Sequence, residues 1–108
     1  MKLRVQSNSL RLRLSETEVT QFKQTGQIEE RIQFGPSEDQ VLRYVLAFSA
    51  NTPVVTATFE QAQVTVLVPE SIAAQWVNSE QNGFEGFIDN GTERGLKILV
   101  EKDLDCFH

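Results

Sequence analysis

The chain has 108 residues, 40% of them hydrophobic and 23% charged, with a net charge of −5. That is enough for one domain to bury a core without disulfides or metal, but no apolar run approaches the roughly 20 residues that a membrane-spanning helix needs. The negative balance also argues against general nucleic-acid binding, where neutralising phosphate supplies most of the affinity.

Residues 2–6 and 9–14 alternate, with Leu3, Val5, Leu10, Leu12 and Leu14 on one face, so they read as a half-buried strand pair. Gln6-Ser7-Asn8-Ser9 supplies the turn. Ser15-Glu16-Thr17-Glu18 is a capping box that opens a helix, Val19 and Phe22 share its apolar face, and Gly26 closes it. A second hairpin follows, Ile28–Phe34 and Val41–Phe48 around Gly35-Pro36-Ser37-Glu38. The order then recurs. Pro53–Phe59 and Val64–Val68 pair, Pro69 suits a first helical turn, and Ile72, Ala73, Trp76 and Val77 form a stripe. Phe84–Asp89 and Leu96–Glu101 flank Asn90-Gly91, a hairpin turn signal.

Setting residue i against residue i+54 aligns Leu10, Leu12 and Leu14 with Val64, Val66 and Val68, and Phe22 with Trp76; residues near Ile28–Gly35 need a small shift. The pattern predicts an α+β fold, a largely antiparallel sheet with two helices, built by internal duplication of a ββαββ unit with pseudo-twofold symmetry. It is one domain over residues 1–108, with repeats at about 2–48 and 54–101 and a short tail, 102–108. Leu12, Leu14, Phe22, Tyr44, Val66, Trp76 and Ile98 are the expected core.

Charge is unevenly spread along this frame. The first 15 residues hold Lys2, Arg4, Arg11 and Arg13 and no acid, so the remainder carries −9. Alternation puts those four opposite the leucines, and Arg43 and Lys97 have the matching parity. Six cations, Lys2, Arg4, Arg11, Arg13, Arg43 and Lys97, are thus expected on one sheet face. One reading is a surface for an anionic ligand or an acidic protein. The other is a solvated face whose arginines pair with Glu29, Glu30 or Glu101. The second unit has Thr58, Thr65 and Leu67 at the equivalent places. Leu67 exposed beside Leu99 would make an apolar patch suited to homo-oligomer formation.

Nothing marks a nucleophilic enzyme. The only His and the only Cys stand at the chain end as His108 and Cys106, and no glycine-rich phosphate loop is present. Asp103, Asp105, Cys106 and His108 lack zinc-site spacing, so neither a metal nor another cofactor is expected. Leu104 and Phe107 are expected to pack on the domain edge while the tail's polar residues stay wet. A lone cysteine and an N-terminus without an apolar signal core fit the cytoplasm.

The opening, Met1 to Leu14 followed by Thr17-Glu18-Val19 and Phe22, resembles a family of small uncharacterised bacterial proteins, and so does the close, Leu96 to Asp103 and then Cys106. That resemblance implies no activity and no catalytic residues. Members of the family tend to run on into an acidic tail past the cysteine, whereas the sequence here ends at His108. The residues themselves favour a non-enzymatic binding or assembly module acting through its exposed sheet face. The alternative is a protein or enzyme for a small anionic metabolite, clamped by Arg4, Arg11, Arg13 and Arg43.

Overall fold

The computed structural model describes residues 1–103. Its elements are β1 (Lys2–Gln6), β2 (Ser9–Leu14), α1 (Glu16–Thr25), β3 (Gln27–Gln33), β4 (Val41–Ser49), β5 (Thr56–Glu60), β6 (Gln63–Pro69), α2 (Glu70–Val77), β7 (Gly83–Ile88) and β8 (Leu96–Lys102), with one 3-10 turn at Glu38–Gln40. The class is α+β, and four hairpins pair antiparallel as their periodicity predicts.

The hairpins do not line up in one sheet. They form two four-stranded sheets, ordered β1-β2-β8-β7 and β3-β4-β6-β5. Each joins a hairpin from one half of the chain to a hairpin from the other through a central parallel pair, β2 with β8 and β4 with β6. Short-range pattern determines only which neighbours fold back on each other. Which hairpins then sit side by side depends on matching buried rows, Leu12 beside Val100 and Leu46 beside Val66.

These rows exchange when i is replaced by i+54, since Leu12 and Val100 map onto Val66 and Leu46. The pair Leu3–Leu12 maps likewise onto Ala57–Val66. The outer strands β3 and β7 match only after a further shift of two residues, which sets Ile28–Leu46 on Phe84–Val100.

Both helices close the same end of the core, because each follows a central strand, β2 or β6. The α1 cap forms as its sequence dictates. The Glu18 N–H donates to the Ser15 hydroxyl at 3.3 Å, and the Ser15 N–H donates to the Glu18 carboxylate at 2.9 Å. Gly26 takes the left-handed φ of 79°, and Phe48 lies where a side chain would go. Pro69, expected inside the first turn of α2, instead ends β6 and stands just before the helix, with no side-chain cap there. Phe22 and Trp76 meet edge to face, ring centres 6.1 Å apart, and both are fully buried. Phe48 and Phe84 extend the cluster, and the Trp76 indole N–H donates to the Asn82 carbonyl at 3.0 Å. All seven expected core residues are buried. The opposite end holds the four hairpin turns. One of them, 89–95, is longer than the Asn90-Gly91 signal suggests, because pairing stops at Ile88 and Leu96.

Candidate functional site

The basic face starts with the β1–β2 hairpin. Leu3 and Leu12 pair inward, so Lys2 opposes Arg13 and Arg4 opposes Arg11 on the outer side. The turn between the strands holds Ser7 at a positive φ of 50°. Beside β2, β8 adds Lys97, Leu99 and Glu101 to the same face.

Five of the six expected cations therefore share the outer face of the first sheet: Lys2, Arg4, Arg11, Arg13 and Lys97. Arg43 does not join them. It lies on β4 in the second sheet, opposite Arg31 and beside Gln63, and pairs with Glu38 at 3.0 Å. Its surroundings are a shallow polar cavity of about 250 Å³ lined also by Thr58, Glu60 and Thr65. A clamp of Arg4, Arg11, Arg13 and Arg43 does not form, because those residues belong to different sheets. Leu67 and Leu99 are separated in the same way and are only half-exposed, so they make no common patch.

Acids on the first sheet offset part of the charge. Arg13 Nε donates to Glu101 Oε1 at 2.6 Å, and Arg11 Nε lies 3.6 Å from that same oxygen. Lys2 reaches Asp103 at 2.7 Å, and Lys97 stands 4.0 Å from Glu85. Of the three glutamates named from the sequence, Glu101 is the partner; Glu29 and Glu30 lie on β3 in the other sheet. Among the described residues Arg4 has no ion pair, although it directly opposes Arg11. Among the described residues Glu85, Glu101 and Asp103 are the acids that pair with cations of this face.

A second charged cluster was not visible in the sequence. The Met1 amino group is buried between the carboxylates of Glu18 and Glu30, the latter at 2.9 Å. Burial works to lower the amine's pKa, but hydrogen bonds and charge from Glu18 and Glu30 outweigh it and raise the value above the ordinary 8.0. Burial works to raise the Glu18 pKa, but the amine and the Ser15 backbone N–H prevail and hold it below 4.5. Tyr44, whose hydroxyl donates to the Met1 carbonyl at 3.2 Å, is pushed up by burial and then by the charges of Glu30 and Glu18. Ser15-Glu18 announced the cap, but nothing local showed that Glu18 would also meet the chain start.

Lys102 and Asp103, expected at the start of a wet tail, are both buried. Lys102 ends β8, donates to the Ser79 carbonyl at 2.7 Å and stands 5.9 Å over the Trp76 ring. The Asp103 N–H donates to the Leu14 carbonyl at 2.8 Å. The other tail residues singled out, Leu104, Asp105, Cys106, Phe107 and His108, lie outside the described residues. Among the described residues no group of His, Cys, Asp and Glu could hold a metal, and no helix is long and apolar enough to cross a membrane.

One protein-family model matches the chain over residues 1–108. The chain belongs to the family of unknown function DUF7009. No curated protein and no solved structure matches it. The DUF7009 assignment brings no activity with it, so the function of this chain has to be argued from its own surfaces.

Proposed function

We propose that the chain is a non-enzymatic binding module that holds an acidic protein partner on the outer face of its first sheet, centred on Arg4 and Arg11. The observation that carries this reading is the placement of Arg4 directly opposite Arg11, while the Glu101 carboxylate is already shared by Arg11 and Arg13. Lys2, Arg4 and Lys97 are exposed and Arg11 and Arg13 half-exposed, so an external carboxylate can reach them, and the pair Lys97–Glu85, open to water on both sides, is worth only about 0–1 kcal/mol. A sheet face offers rows of cations to an extended partner. We place the module in the bacterial cytoplasm, a setting that a single cysteine fits. A second copy, with its own acidic remainder, is one form the partner can take.

A fluorescent oligoglutamate peptide tests the proposal. Wild-type protein should bind it at low salt and release it as salt is added, because exposed charges are screened over about 8–10 Å at physiological ionic strength. Replacing Arg4, Arg11 and Arg13 together with Gln should abolish binding without lowering the thermal midpoint appreciably. Equal binding by wild type and triple variant, or none by wild type, would sink the proposal. Sedimentation of both proteins shows whether self-association follows the same residues.

A further inference from the structure

The two ends of the core are closed differently. At the helix end, Phe22 and Trp76 fill the space between the sheets. At the turn end, hairpins finish on inward-facing apolar pairs that the described residues leave partly open. Val5 pairs with Leu10, Phe59 with Val64 and Ile88 with Leu96. These three pairs, drawn from three hairpins of both sheets, line one cavity of about 320 Å³. On its rim Val5 is 64% and Phe59 68% exposed. Exposed apolar side chains are common singly, but here two exposed and four half-buried ones converge on a concavity.

We propose that this cavity binds a small, uncharged, apolar molecule. Its size lies at the lower end of the range for small-molecule sites, which suits a ring or a short alkyl group rather than a nucleotide or a long acyl chain. No charged residue is among those that line it, so an ionised ligand would be buried without a counter-charge. Two of the polar groups at the rim are engaged within the chain. The Asn8 amide donates to the Gly95 carbonyl, and the Ser9 hydroxyl donates to the Gln6 carbonyl at 2.7 Å. Recognition there rests on apolar burial and shape. The cavity and the basic face use different residues, so the two proposals stand or fall separately.

N-phenyl-1-naphthylamine, an uncharged fluorophore that brightens in apolar surroundings, is a direct probe. Wild-type protein should give saturable one-to-one enhancement that is unaffected by salt and reversed by naphthalene. Leu10→Trp, which fills the cavity, should weaken binding about tenfold or more, the equivalent of about 1.4 kcal/mol. Phe59→Ala, at a mostly exposed position that leaves folding intact, should weaken it as well. A non-saturable signal, or equal affinity in wild type and Phe59→Ala, overturns the proposal. So does enhancement that appears only when sedimentation shows two copies joined through this end, since a second chain would then be the occupant.

Discussion

Leu12 and Val66 occupy equivalent places in the two sheets, and so do Arg11 and Thr65, yet the first pair is alike in character and the second is not. The same holds around them. Inward, Leu14 matches Val68 and Phe22 matches Trp76, all fully buried. Outward, Arg4, Arg11 and Arg13 stand where the second half has Thr58, Thr65 and Leu67. Burial constrains an inward position to apolar residues of similar bulk, whereas an outward position is free to serve solubility or binding. The helix starts differ as well, since Ser15 and Glu18 cap α1 while Pro69 and Ile72 at the same places make no such cap. The fold lies in what the halves share, and the proposed binding surface lies in what they do not.

The shared part gives the largest expected effect. Phe22→Ala and Trp76→Ala should each destabilise by about 3–5 kcal/mol in chemical denaturation, the usual cost of deleting a buried aromatic. A loss below about 1 kcal/mol in one and not the other would show that the two helices do not carry equal parts of the core.

An intermediate effect should appear in one half only. Glu18→Gln removes a partner of both the Met1 amine and the Ser15 N–H, and should cost about 1–3 kcal/mol at neutral pH. The Glu18 pKa is lower in the folded state, so its contribution is present above the ordinary value of 4.5 and lost as pH falls through the folded value. The amine pKa is higher in the folded state, so its contribution is present below 8.0 and lost as pH rises through the folded value. Thermal midpoints measured across pH should therefore fall on both sides, and both arms should flatten in Glu18→Gln. Undiminished arms in the variant would assign the pH dependence to other groups.

The smallest effect concerns the turns. Gln61 and Ala62 both hold positive φ, 51° and 59°, whereas in the equivalent turn only Ser7 does. Asn-Gly at 61–62 suits this geometry better and should stabilise by about 1 kcal/mol. A lowered thermal midpoint would mean that Gln61 or Ala62 holds that turn through contacts of its own.

Much of this was legible in the residues. Alternation in Leu10-Arg11-Leu12-Arg13-Leu14 showed which side chains turn inward, and Ser15 to Glu18 marked the start of α1, because both are rules of local geometry. The assignment of Arg43 to the basic face failed because parity within a strand says nothing about which sheet the strand joins. Asp103 as the partner of Lys2, and the apolar cavity, depend on registers between distant hairpins, and no short window of sequence contains those. Pro69 showed a smaller version of the problem, since its fixed φ suits the last residue of β6 as well as the first turn of a helix.

The parallel contact between β2 and β8 has a consequence for synthesis of the chain. Arg13 and Glu101 are 88 residues apart, whereas β4 and β6 are separated only by one short strand and its connections. As the chain emerges, all four strands of the second sheet exist once Pro69 has been added, but the first sheet has to wait for Lys102. Until then the β1–β2 hairpin carries an unpaired inner edge, the kind of edge along which copies of a chain join. Arg11 and Arg13 stand on that waiting strand, and like charge on like charge keeps two nascent hairpins apart.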